Sequence, residues 1–227
     1  HARFTGQATE ASIRTRGLDG VYRPFLTRVA PFRDERGIVV RWCGVQADLT
    51  ERHAHDRRQA FLRAFHDAAR DLADPSAILE LLAGMAFEQL AVDQMVYAEA
   101  VDSDERRFTL FSVRAGRAAE QDTGAVTLGP GFDAVIAAAR AGRTLVVTDE
   151  GEAPSLLARA LRAQGVAASL RAGIHVPVVR GGRVAGCLSL LADRARRWTA
   201  DEVELCEELA ERVWTTLDRV RADGRLK

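Results

Sequence analysis

The sequence predicts an α+β protein made of two antiparallel-sheet units joined by a helix. Three observations carry this reading. Apolar, extended segments alternate with tight polar turns in the first 50 residues and again after residue 90; one helical stripe runs between them, from Asp48 to Leu72; and a long amphipathic helix follows Thr199. A chain of 227 residues can hold one large domain or two small ones, and the connecting helix favours two. The expected division is residues 1–50, a connector over 51–73, a second domain over 74–220, and the start of a linker over 221–227.

At 47% hydrophobic and 28% charged, the composition supports a sizeable core. Lys plus Arg equals Asp plus Glu at 32 each, so no charge excess recommends a nucleic acid as partner. No apolar run approaches the roughly 20 residues that cross a bilayer. A cytoplasmic setting is expected, whether the whole protein is free or membrane-anchored. The patterned sequence is already under way at His1, so it reads as a piece of something longer. Three scattered cysteines, Cys43, Cys187 and Cys206, make neither a disulfide framework nor a zinc signature and are expected as small core residues.

The first unit reads as three strands. One runs up to Arg16 and turns at Leu18-Asp19-Gly20; the next starts at Val21 and carries Pro24, which suggests an edge position or a bulge. Asp34 to Gly37 forms the second turn, and Ile38 to Val45 returns as a strand containing Trp42 and Cys43. Three strands without a covering helix leave an apolar face bare, so the rest of this unit is expected before His1. The connector opens at Asp48 and Glu51, the spacing of a capping box, and its stripe comprises Ala54, Phe61, Phe65, Ala68 and Leu72. Asp74-Pro75 ends it and starts a new helix.

The runs Arg16-Gly17-Leu18-Asp19-Gly20, Tyr22-Arg23-Pro24-Phe25, Pro31 to Gly37, and Trp42 to Arg52 resemble the C-terminal half of a bacterial PAS domain. The resemblance implies the last three PAS strands, followed by an output helix that begins at Asp48-Leu49-Thr50-Glu51-Arg52. The strands and helices that complete a PAS ligand cavity are not in this sequence, so it implies no PAS cofactor.

In the second unit, residues 78–90 are expected as a helix with Ile78, Leu82, Met85 and Leu90 on its core face. Strands are expected over Val92 to Val101 and Phe108 to Val113. A looser region with Gly116 and Gly124 precedes a short helix over Phe132 to Ala141 and a short strand over Thr144 to Thr148. An acidic loop over Asp149 to Pro154 leads to a helix over Ser155 to Gln164. Ser169 to Val179 and Val184 to Leu191 then make a hairpin around Gly181-Gly182. Thr199 and Glu202 form a capping box, after which Val203, Cys206, Ala210, Val213, Leu217 and Val220 recur in heptad spacing.

This unit, over about residues 70 to 220, resembles a GAF domain: an antiparallel sheet flanked by helices. The resemblance rests on the opening helix before Val92-Asp93, on Thr144 to Asp149, on Gly173 to Val178 with Gly182 to Leu188, and on Trp198 to Leu205. Tandems of this order imply the sensory and dimerisation region of a bacterial signalling protein, most often a histidine kinase acting in a phosphorelay. Input to a cyclase or phosphatase, or a scaffold that binds no ligand, is the alternative. By family position, a small-molecule pocket is expected to use Tyr97, Phe111, Phe132 and Val146 as apolar walls and Arg114, Asp149 and His175 as polar contacts. Strand alternation sets His175 opposite Ile174 and Val176. Bilin-binding relatives attach their chromophore through a cysteine next to histidine; His175 lacks that neighbour, so no covalent bilin is expected, and no heme or flavin either.

No catalytic or metal-ligating constellation competes. His53 and His55 lie two apart and do not share a helical face; Leu128-Gly129-Pro130-Gly131 lacks the pattern of a phosphate loop. The expected partners are a second copy of the chain in parallel, a downstream output module and an unidentified small molecule. Phe61, Phe65 and Leu72 on the connector, and Val213, Leu217 and Val220 on the last helix, are the expected dimer contacts.

Overall fold

The computed structural model describes residues 6–101, 105–115, 124–129, 132–149 and 171–225. The chain divides into two compact units with the break between Ala60 and Phe61. The helix expected over Ser155 to Gln164, with Glu150 and Glu152 of the acidic loop, lies outside the described residues.

In the first unit, β1 (Thr9–Arg16), β2 (Tyr22–Arg33) and β3 (Val39–Asp48) form an antiparallel sheet in that order. Gly20 and Gly37 both stand at φ 79, the left-handed conformation their turns require. The Asp34 carboxylate holds the second turn by accepting from the amides of Arg36 at 3.0 Å and Ile38 at 2.8 Å. Pro24 is on the central strand and not at an edge. It is tolerated there because β3 pairing begins at Phe25, so no ladder bond asks for the missing N–H. Cys43 is exposed on β3 and is not a core residue.

Helix α1 (Thr50–Ala69) follows directly. Its cap differs in detail from the expected box: Asp48 accepts from the Thr50 amide at 2.8 Å and the Thr50 hydroxyl at 2.6 Å. It also ends at Ala69, short of Leu72. Helix α2 (Pro75–Leu90) starts as expected, with Pro75 in the first turn and the Asp74 carboxylate accepting from the Ser76 amide at 3.1 Å.

The second unit is a six-stranded antiparallel sheet in the order β6-β5-β4-β9-β8-β7. Its strands are β4 (Gln94–Ala100), β5 (Arg107–Arg114), β6 (Gly124–Thr127), β7 (Leu145–Val147), β8 (Ala172–Arg180) and β9 (Arg183–Ala192). Between β6 and β7 lies helix α3 (Asp133–Arg140), and α4 (Ala200–Arg225) follows β9. Strand β6 falls in the region expected to be loose. The β8–β9 turn has Gly181 at φ 58 and Gly182 at φ 75, the paired positive values of a tight hairpin. The capping box of α4 is reciprocal: the Thr199 amide donates to Glu202 at 2.8 Å, and the Glu202 amide to the Thr199 hydroxyl at 3.2 Å.

One face of this sheet carries the main core. Met95, Tyr97, Phe111, Val113, Ile174, Val176, Leu188 and Leu190 pack there against Phe61 and Phe65 of α1, Ile78 and Leu82 of α2, and Leu209, Val213 and Leu217 of α4. The six expected dimer contacts therefore sit in the core of a single chain. Phe65, Val213 and Leu217 are at most 1% exposed, and Phe61, Leu72 and Val220 pack into the same cluster. A stripe of heptad spacing also suits a helix covering its own sheet, and that is its use here. Cys206 is buried with them.

Candidate functional site

The opposite face of the sheet holds a cavity of about 290 Å³. Alternation along the strands builds it. Val96 and Ala98 of β4, Phe108 and Leu110 of β5, and Cys187 and Ser189 of β9 point into it, whereas Met95, Tyr97, Phe111, Leu188 and Leu190 beside them point into the main core. Val126 of β6, Leu145 of β7, and His175 and Pro177 of β8 complete the sheet side. Helix α3 roofs it with Ala134, Val135, Ile136, Ala138 and Ala139, and these three alanines leave space that larger side chains would fill.

Two side chains form a polar spot in this apolar wall. His175 and Ser189 are paired across β8 and β9, and their Nδ1 and Oγ atoms lie 2.8 Å apart. Both are buried, at 4% and 6% exposure. The Cys187 sulfur is 3.7 Å from the same hydroxyl. Burial pushes the Cys187 thiol up to about 11, with the Ser189 hydrogen bond opposing the shift, so the sulfur is a neutral thiol at ordinary pH.

Charge enters at the rim and is compensated. Glu105, 1% exposed, accepts from the Val184 amide at 3.1 Å and forms an ion pair with Arg140 in the last turn of α3. Its neighbour Arg106 pairs with Asp133 in the first turn of α3 and donates to the Gly129 carbonyl at 3.2 Å. Both ends of the roof helix are thus tied to the turn between β4 and β5. Among the described residues, no cluster of three or more His, Cys, Asp or Glu side chains is placed to hold a metal ion.

The structure redistributes the expected pocket residues. His175 lines the cavity. Tyr97 and Phe111, paired with each other across β4 and β5, lie on the opposite face, in the helix-covered core. Arg114 sits at the end of β5, where it bonds Gln94 at 3.4 Å and pairs with Asp193. Asp149 pairs with Arg171, at 2.9 and 3.1 Å. Phe132 precedes α3, and Val146 is 39% exposed at the sheet edge; the cavity wall is made by Leu145 instead. The sequence reading missed Glu105, Cys187 and Ser189. Cys187 and Ser189 were within its reach, since they alternate with Leu188 and Leu190 opposite His175. Glu105 was not, because its role follows from a left-handed turn residue, φ 56, that no side-chain pattern announces.

A six-stranded antiparallel sheet with helices packed on one face and a helix-roofed cavity on the other defines a sheet-and-cavity α+β domain. A family model described as GAF domain matches residues 59–218, and the chain belongs to that family. No curated protein matches the chain.

Solved structures share the fold. The GAF domain of a phosphoenolpyruvate-protein phosphotransferase from Coxiella burnetii is 15% identical, with a TM-score of 0.57; the match covers 74% of this chain and 96% of that one. The blue-light absorbing form of the PixJ GAF domain from Thermosynechococcus elongatus is 23% identical at a TM-score of 0.51, covering 67% and 90%. A free methionine-R-sulfoxide reductase from Neisseria meningitidis, solved with its substrate, is 20% identical at a TM-score of 0.53, covering 73% and 91%.

Among the described residues, no helix is long and apolar enough to cross a membrane.

Proposed function

We propose that this chain is the sensory input region of a bacterial signal-transduction protein, that the cavity is its ligand site, and that it regulates a C-terminal histidine kinase module in a phosphorelay. Residues 1–50 then serve as the C-terminal part of a PAS domain, a reading supported by the three-stranded sheet leading into α1.

The observation that carries the proposal is the two-sided strand β9. Its Cys187 and Ser189 face the cavity, while Leu188 and Leu190, between and beside them, face the helices. At Gly186 the fit is tightest: an added Cβ would stand 2.8 Å from the Ala98 carbonyl and 3.4 Å from the Trp214 ring of α4. Displacement of β9 by a bound molecule is therefore felt by the final helix with no slack between them.

A native mass spectrum of the gently purified chain tests this reading. A retained small-molecule mass, lost when Ser189→Leu obstructs the cavity, supports it. A chain whose retained molecule is indifferent to that change binds elsewhere, and the cavity loses its assignment. The proposal includes association of two chains. Because the six expected contact residues pack within one chain, the contact surface is sought elsewhere, and sedimentation of the wild type over a concentration series decides whether the pair forms.

A further inference from the structure

We infer that the cavity takes a neutral, largely apolar molecule of about ten to fifteen heavy atoms, carrying one hydroxyl or carbonyl group that meets the His175–Ser189 pair. This rests on the cavity being the sensory site, and it names the chemistry of the guest.

Size comes first. An apolar cavity of about 150 Å³ holds benzene, six heavy atoms. A space of about 290 Å³ is roughly twice that and holds about a dozen. Fused bicyclic aromatics and short branched chains fall in this range; a nucleotide or an open tetrapyrrole does not.

Polarity comes second. Val96, Phe108, Leu110, Val126 and Ile136 offer a guest only carbon surface. The polar spot is small but has capacity left. A serine hydroxyl supplies one hydrogen and two lone pairs; at Ser189 the His175 ring uses one of these and the Cys187 sulfur a second. One position is left for a single hydroxyl or carbonyl.

Charge comes third. Among the described residues, the buried ionic group in the wall is the Glu105 carboxylate, which already bonds Arg140 and the Val184 amide. An anionic guest would sit beside that negative charge. Among the described residues, the cation that lines the cavity is Arg143, which is exposed to solvent and gives an anion a partner only at the mouth. Burying phosphate or carboxylate deeper, without a cation, is disfavoured.

Titration calorimetry of the full chain with four probes tests the assignment: 2-naphthol, naphthalene, 2-naphthoate and cyclic adenosine monophosphate. One 2-naphthol should bind per chain, about five- to tenfold more tightly than naphthalene, the difference one hydrogen bond makes. Naphthoate and the nucleotide should bind more weakly than naphthalene. Ser189→Ala should close the gap between naphthol and naphthalene to within about twofold. Ala138→Phe, which fills the space from the roof, should abolish binding of both; if circular dichroism shows that it unfolds, Ala98→Leu on the sheet side replaces it. If naphthoate or the nucleotide binds more tightly than naphthol and Ala138→Phe removes it, the ligand class is wrong and the sensory site stands. Naphthol binding that survives whichever filling variant remains folded overturns the site itself. Failure of all four probes to bind overturns the ligand class, and the mass spectrum then judges the sensory reading alone.

Discussion

The two faces of the six-stranded sheet are built from the same strands and carry different structures. On one, three helices press Leu, Phe and Val side chains into a core with many fully buried members, among them Leu62, Ile78, Leu82, Leu190, Leu209 and Leu217. On the other, among the described residues, one eight-residue helix presents alanines over an open space and is tied down by ion pairs at both ends. The first face is filled for stability. The second forgoes that packing and keeps a volume that another molecule can occupy, the usual compromise of a binding site.

The largest expected effect breaks the filled face. Leu217→Ala, at a position with no exposure, should lower unfolding stability by about 2–5 kcal/mol, read from the urea midpoint. The next sets the faces directly against each other. Ala210→Leu adds bulk to the filled face and should cost about 1–3 kcal/mol, whereas Ala138→Leu grows into the cavity and should change stability by less than about 1 kcal/mol. Equal costs would mean that both faces are close-packed and that the cavity is not a usable space.

A pH series sharpens the comparison, because each face desolvates one thiol, Cys206 in the core and the partly buried Cys187 at the cavity. Burial pushes Cys206 up to about 12 and Cys187 up to about 11, from an ordinary value of 9.0. The folded chain keeps both protons while the unfolded chain gives them up above that value. The resulting stabilisation is full below about pH 9 and is lost as pH rises towards the folded values. Cys206→Ala and Cys187→Ala should each flatten this alkaline decline, in urea titrations between pH 8 and pH 10.5. The smallest effect concerns Tyr97, whose buried hydroxyl has no hydrogen-bond partner among the described residues. Tyr97→Phe should leave the fold intact and raise stability by up to about 1 kcal/mol.

Where side chain and backbone spoke together, the sequence was readable. Asp74-Pro75, Thr199 with Glu202, and Gly181-Gly182 each name a local geometry that needs those residues, and each is found. His175 stood out because it is a polar residue at one parity of an apolar strand. Tyr97 and Phe111 could not be sorted, because β4 and β5 are buried on both faces and their apolar runs do not say which parity meets helices and which meets the cavity. The stripe on α4 was ambiguous for a similar reason: Val213 and Leu217 satisfy a partner helix and a private sheet equally well. The roof was hidden because alanine, the best helix former, gives no hint that its smallness shapes an open volume.

One arginine joins several of these pieces. The Arg196 guanidinium donates to the Leu90 carbonyl at the end of α2 at 2.6 Å, pairs with Glu202 in the first turn of α4, and lies 4.0 Å over the Trp198 ring. That indole in turn donates to the Val147 carbonyl of β7 at 3.0 Å, and the Arg196 amide to the Thr148 carbonyl at 3.0 Å. The end of one helix, the start of another and an edge strand are thereby clasped by two adjoining side chains. In hydrogen exchange the amides flanking Leu90, Val147 and Glu202 should therefore open together, although they are far apart in the chain.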